Sequence, residues 1–273
     1  MERTTDDPST VAEDAQAYLP ARPSTARLGQ RADVNGLSMY YELHGEGQPL
    51  VLLSGATCTI ERPGMEIPFF ASEFQVIAVE QMGHGRTTDA IDREFHYHDM
   101  AEDVVELLRQ LGVATAFVFG FSDGGIVGLD MAMNHPELVA KLVVTGANYR
   151  LDAYSGSTLD WLTTVKPEDW PSSFRKDYER LSPDGPSHWP LVLRRIQRMW
   201  AAEPDYSDEQ MASITTPTLV IAGDRDVITA EHSVAMFRAI PGAQLCIVPN
   251  EGHGAMAKEA VMTFLKQIPR PPP

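Results

Sequence analysis

One stretch constrains this chain more than any other: Phe117-Val118-Phe119-Gly120-Phe121-Ser122-Asp123-Gly124-Gly125. Its uncharged aromatic and β-branched start reads as a fully buried strand, and Ile126, Val127, Leu129, Met131 and Met133 follow at mixed helical spacing. Between them, Gly120-Phe121-Ser122-Asp123-Gly124 matches Gly-x-Ser-x-Gly. The flanking glycines let the backbone turn so tightly that the serine Oγ stands clear at the sheet's C-terminal edge. The helix that follows aims its first N–H groups at any oxyanion formed there. Ser122 is therefore the candidate nucleophile. A glycine-rich turn with an accidental serine would look the same over five residues, so the rest of the chain must decide.

A chain of 273 residues has room for one large α/β domain with an insertion and can bury a substantial core. Its net charge of −16 argues against a nucleic-acid surface and against a polybasic membrane anchor. Cys58 and Cys246 lack metal-type or redox-type spacing, so reduced, partly buried thiols are expected, with no disulfide, no metal and no cofactor. The N-terminus develops no continuous apolar segment and no later run reaches membrane-spanning length, which leads to the expectation of a cytoplasmic protein.

Residues 1–29 lack a sustained period and read as a flexible leader, apart from a short helix over Val11 to Leu19. Order begins near Ala32, with Asn35-Gly36 as a two-residue hairpin turn before the alternating strand Leu37 to Leu43. Pro49 to Leu53 is a buried strand that ends in the small-residue loop Ser54-Gly55-Ala56-Thr57, where backbone can approach a ligand closely. Phe74 to Val79 is the next strand, and Met100 to Leu111 is a helix closed by Gly112. After the serine turn and its helix, Leu142 to Thr145 continues the alternation. It then breaks down between about 148 and 212, a proline-bearing, charge-rich region that holds all four tryptophans: Trp161, Trp170, Trp189 and Trp200. Aromatic weight in one irregular, helical insertion suggests a lid over a pocket, with Trp161 and Trp189 as ligand contacts; the plainer alternative is that the rings staple the lid to the core. Strand–helix order resumes at Thr218 to Gly223 and Gln244 to Val248, followed by the loop Asn250-Glu251-Gly252-His253-Gly254 and a helix over Ala257 to Gln267. The division is thus a core over 30–147 and 213–268, a lid over 148–212, and a proline-rich tail over 269–273.

A serine, then an acid after a later strand, then a histidine after the last strand is an order that resembles the α/β-hydrolases, over nearly everything from Ala32 to Gln267. The resemblance implies a mostly parallel sheet flanked by helices with a helical lid, its loops converging at the C-terminal edge. Of eight histidines, His253 alone sits in a glycine-flanked loop after the final strand, whereas His84 in Gly83-His84-Gly85 resembles a glycine-rich loop that shapes the pocket wall. Asp224 and Asp226 compete for the acid; the family's Gly-x-x-Asp pattern implies Asp226. It also implies an oxyanion hole from the backbone N–H groups of Ala56 and Asp123, with Gly55 and Thr57 beside the substrate. Ser54-Gly55 stands where many relatives have His-Gly, and Glu80 where an Asp is usual. Haloalkane dehalogenases and epoxide hydrolases of this fold carry an aspartate nucleophile, which Ser122 counts against.

The expected function is a cofactor-independent serine hydrolase of a small carboxylic ester or lactone, a class of enzyme placed under EC 3.1.1. Amide, thioester and carbon–carbon bond hydrolysis share the chemistry and stay open, as does a ligand-binding sensor with vestigial turnover. A nucleotide-binding module lacks Gly-x-x-x-x-Gly-Lys and Gly-x-Gly-x-x-Gly. Within the fold, the serine turn and Val143 to Asn148 look like the valacyclovir-hydrolase-like branch. For Asp123 that resemblance implies a carboxylate that receives a substrate ammonium; the alternative is an acid favoured at a helix start.

Overall fold

The computed structural model describes residues 29–62 and 65–267. The expected leader with its short helix and the expected proline tail lie outside the described residues. Asn35 and Gly36, with φ of 46° and 85°, close a hairpin between β1 (Gln30–Val34) and β2 (Leu37–His44), because a tight turn between right-twisted strands needs positive φ at both positions. β2 pairs antiparallel with β4 (Gln75–Val79). From there on every pairing is parallel, through β3 (Pro49–Leu53), β5 (Ala116–Phe121), β6 (Val139–Thr145), β7 (Thr218–Gly223) and β8 (Gln244–Val248). The resulting eight-stranded sheet has the order β1-β2-β4-β3-β5-β6-β7-β8.

The strands read as continuous apolar runs because both faces of the sheet are covered, and alternate residues serve opposite layers. Val51 and Leu53 of β3 join one core with Val104 and Leu107 of α2 (Tyr97–Gln110) and Ile126 and Leu129 of α3 (Asp123–Asn134). Leu50 and Leu52 join the other, with Phe70 of α1 (Ile67–Phe70) and Val261, Phe264 and Leu265 of α9 (Lys258–Lys266). Lys141 on β6 is buried with its Nζ on the carbonyls of Phe264, Leu265 and Gln267, so a cation completes the C-terminal end of α9, where helix carbonyls lack intrahelical donors.

Between β6 and β7 the chain forms the helical lid: α4 (Thr158–Thr164), α5 (Ser172–Leu181), α6 (Trp189–Trp200) and α7 (Asp208–Ala212). Trp170, Phe174, Trp189, Leu193, Ile196 and Trp200 are continuous with the first core, so the lid is packed down as part of the hydrophobic interior. α8 (Ala230–Ala239) then returns the chain to β8. The helix expected from Met100 begins three residues earlier, at Tyr97, because the extended His96 is its N-cap. No helix among the described residues is long and apolar enough to cross a membrane.

Candidate active site

Ser122 stands between the end of β5 and the start of α3 with φ 52° and ψ −122°. A side chain in that region is strained, and the strain persists only where the surroundings over-determine it. Here the glycines do so. A Cβ on Gly120 would lie 2.3 Å from the Gly124 carbonyl oxygen, and one on Gly124 would lie 2.2 Å from the Leu53 carbonyl oxygen. The start of α3 therefore presses directly onto β5 and the end of β3, which no residue with a side chain would permit.

Parallel order brings the loops after β3, β7 and β8 to the same edge. His253 Nε2 lies 3.1 Å from Ser122 Oγ, and its Nδ1 lies 2.8 Å from Asp226 Oδ1. A carboxylate only accepts, so Nδ1 carries the proton and Nε2 is left as the acceptor facing the serine. The same Asp226 oxygen accepts from the Ile228 N–H at 3.0 Å, and the side chain is shut off from solvent. Asp224 is exposed and accepts from the Asn250 N–H at 2.7 Å, so it serves the turn. Burial works against the imidazolium of His253. The charge and hydrogen bond of Asp226, and the charge of Asp123, outweigh it and raise the pKa above 6.5.

The loop after β3 abuts the serine: a Cβ on Gly55 would lie 3.0 Å from Ser122 Cβ. Asp123, as the first residue of α3, has no intrahelical acceptor for its N–H. Buried Glu80, at the end of β4, accepts from the Ile60 and Arg86 N–H groups and so ties the loops after β3 and β4 together; burial pushes its pKa up to about 7 despite Arg86. These contacts make it a support beneath the site.

Above the serine opens a cavity of about 830 Å³, its mouth included, lined mostly by apolar and aromatic side chains from the core edge and the lid. Asp123 forms a charged point in that wall. It is 5% exposed and receives the Trp200 Nε1–H at 3.2 and 3.0 Å on its two oxygens. Burial raises its pKa to about 6 against the opposing effects of Trp200, Tyr97 and His253. The Tyr97 hydroxyl is near enough to act on that carboxylate, although its geometry is not that of a hydrogen bond. Cys58 also lines the cavity, its thiol pushed up to about 12 by burial, and both cysteines are free. Among the described residues no cluster of three or more His, Cys, Asp or Glu is placed to hold a metal.

Residues 44–179 match the family model described as alpha/beta hydrolase fold. A meta-cleavage product hydrolase from Pseudomonas fluorescens IP01 superposes with a TM-score of 0.73 at 22% identity, covering 87% of this chain and 95% of that one. The enol-lactonase of Burkholderia xenovorans LB400 gives 0.67 at 19%, covering 87% and 100%. The chain is an α/β-hydrolase-fold protein. Among curated relatives, a protein of Rhizobium rhizogenes named "Putative carbamate hydrolase RutD" is 26% identical over 244 residues, 81% of this chain and 93% of its own length.

Within this fold, Gly55, Ala56, Thr57, Ser122, Asp123, Trp161 and His253 all line the cavity, with Asp226 directly behind His253. Trp189 does not line it. Its indole N–H donates to the Pro167 carbonyl at 3.1 Å and its ring packs on Tyr178, so it fastens the lid, as the plainer reading of those rings has it. His84 is also away from the cavity, buried with Nδ1 2.7 Å from the Met82 carbonyl. Sequence reasoning passed over Asn148, Tyr154, Trp170, Phe174 and Trp200 as wall residues. For the four aromatic residues the only signal was aromatic content, which does not say which side faces inward, and Asn148 carried no such signal.

Proposed function

We propose that this protein is a serine hydrolase that cleaves a small carboxylic ester or lactone through an acyl-enzyme. The observation that carries the reading is the chain of contacts from Asp226 through His253 to Ser122 beside an apolar cavity. Ser122 Oγ attacks the substrate carbonyl carbon while its proton passes to His253 Nε2. The tetrahedral oxyanion is met by the backbone N–H groups of Ala56 and Asp123, each donor of this kind contributing about 3 to 4 kcal/mol. Collapse breaks the bond to the alcohol oxygen, which takes the proton from the imidazolium. Water then attacks the acyl-enzyme with the same histidine as base. Asp226 holds the imidazole tautomer and stabilises the cation. Solved relatives of the same fold, an enol-lactonase among them, support the substrate class by name.

A carbamate is the second reading, favoured by the RutD relatives, because its carbonyl undergoes the same addition and expulsion. One experiment addresses the nucleophile for both. A fluorophosphonate is expected to label Ser122, and Ser122→Ala is expected to abolish labelling and to lower turnover by about 10⁴ to 10⁶. Equal labelling of the alanine variant refutes the assignment. Parallel panels of matched esters, lactones and carbamates then rank the substrate classes by kcat/KM.

A further inference from the structure

β6 ends at Thr145, with Gly146 next in the chain, between β5, which leads to Ser122, and β7, which leads to Asp226. The Thr145 carbonyl accepts the Ser122 N–H at 2.9 Å. Its Oγ1 donates to the Ala255 carbonyl at 2.7 Å, 110 residues away in sequence and just beyond His253. One buried residue is therefore bonded both to the backbone of the nucleophile and to the backbone of the loop that carries the base. The Gly146 N–H continues to the Ile221 carbonyl at 3.3 Å, so the sheet itself fixes where this pair stands.

The segment before His253 is fastened elsewhere: the Asn250 N–H goes to Asp224 and the Glu251 carbonyl accepts the Arg225 N–H at 3.0 Å, both in the turn after β7. The segment after it is fastened by Thr145 Oγ1 to β6. Between these attachments the imidazole rests over bare backbone. A Cβ on Gly146 would lie 3.2 Å from both Cε1 and Nδ1 of His253 and 3.4 Å from Asp226 Oδ2. Ordinary contact between carbon atoms is about 3.5 to 4.0 Å, so even a methyl group there presses on the ring and its carboxylate partner.

The 3.1 Å between Ser122 Oγ and His253 Nε2 is thus set through a single strand end. Proton transfer across such a gap is sensitive to geometry, and a displacement of about 1 Å costs about a hundredfold in rate. From this arrangement, and resting on the serine-hydrolase reading above, we propose that Thr145 and Gly146 are positioning residues for the reaction. The carbonyl and hydroxyl of Thr145 hold His253 in register with Ser122, and Gly146 leaves the space in which the ring seats against Asp226. Thr145 is not among the residues that line the cavity, so its effect falls on the chemical step and not on substrate binding.

Thr145→Val keeps the shape and the carbonyl and removes the hydroxyl, whereas Thr145→Ser keeps the hydroxyl. On a p-nitrophenyl ester, Thr145→Val is expected to lower kcat about 10- to 100-fold with KM within about threefold, and Thr145→Ser to stay within about threefold of wild type in both. Thr218→Val is the control: it removes an equally buried hydroxyl whose bond, 2.8 Å to the Thr216 carbonyl, lies at the opposite end of the sheet, and kcat is expected to change by less than about threefold. Should Thr145→Val fail to fold, Gly146→Ala and Gly112→Ala read the same joint. They place alanine at similar φ, 60° and 70°, but only the first meets atoms within 4 Å, so it alone is expected to lose about tenfold or more in kcat. The rate of fluorophosphonate labelling, which draws on Ser122 and His253 without ester turnover, should fall in parallel with kcat. A kcat in Thr145→Val that falls no further than in Thr218→Val, a loss that Thr145→Ser shares, or equal kcat in the two alanine variants overturns the inference. If the wild type hydrolyses no ester but is labelled, and labelling slows in Thr145→Val and not in Thr145→Ser, the ester-hydrolase reading fails and the role of Thr145 stands.

Discussion

Asp226→Asn isolates a charge with little change of shape. In the native site a single oxygen, Oδ1, accepts both from His253 Nδ1 and from the Ile228 N–H, while Oδ2 has no partner. An asparagine with its carbonyl oxygen in the Oδ1 position keeps both bonds and places its amide where Oδ2 was. The imidazole tautomer is therefore retained, and the loss is chiefly the attraction between the carboxylate and the imidazolium that forms during attack. For unit charges about 4 Å apart at an effective dielectric constant of about 20 this attraction is about 4 kcal/mol, or about three decades in rate. A drop in kcat/KM of about 10³ is expected on a p-nitrophenyl ester. The pH profile supplies an independent check. In the proposed mechanism attack needs neutral His253, so activity is expected to rise with pH through its ionisation, which is raised above 6.5 in the native protein because Asp226 favours the cation. With that charge gone, burial dominates and the rising limb moves to lower pH. Asp224→Asn, at an exposed turn, is expected to change kcat/KM by less than about threefold and to leave the limb in place. A loss under tenfold in Asp226→Asn, or a limb that does not move to lower pH, refutes the reasoning.

Gly124→Ala places a methyl group 2.2 Å from the Leu53 carbonyl oxygen and 2.7 Å from that of Ser54, both backbone atoms. A stability loss of about 1 to 3 kcal/mol in urea unfolding and a fall in activity of tenfold or more are expected, and native activity would show that the serine turn tolerates displacement. Asp123 has its pKa raised by burial from 3.8 to about 6, so between those values the folded state holds a proton that the unfolded chain has released. Stability therefore falls as pH rises through this window, by up to about 3 kcal/mol. Asp123→Asn lacks that slope; its stability relative to wild type should climb between pH 4 and pH 7, and a constant difference would show that the carboxylate ionises freely. Trp189→Phe keeps the lid ring but gives up the bond to Pro167. It should cost about 1 kcal/mol in thermal unfolding and leave KM within about twofold, whereas a large rise in KM would return Trp189 to the cavity wall.

Much of this protein is legible along the chain because the information is local. Gly120 and Gly124 around Ser122 announce a turn that only glycines permit, and the apolar runs at 49–53, 118–121, 142–145 and 218–223 announce strands covered on both faces. His253 stands out for the same reason, as the one histidine in a glycine-flanked loop after the last strand. Two kinds of fact are not local. Asp226 and Asp224 are separated by two positions in one turn; the resemblance implied Asp226, but it is the approach of the β8 loop that sets it against His253 and leaves Asp224 to the Asn250 N–H. The lid tryptophans are equally apolar in sequence, and a helix that is packed on one side and walls a cavity on the other shows the same periodicity for both. Which indole fastens the lid at Pro167, which holds Asp123 and which rings line the cavity is decided by how the helices cross over the sheet. The strands and the serine turn are thus written in the chain itself, whereas the placing of Asp226 beside His253 and the lining of the cavity come from the packing of the fold, because they depend on distances between segments that no single segment encodes.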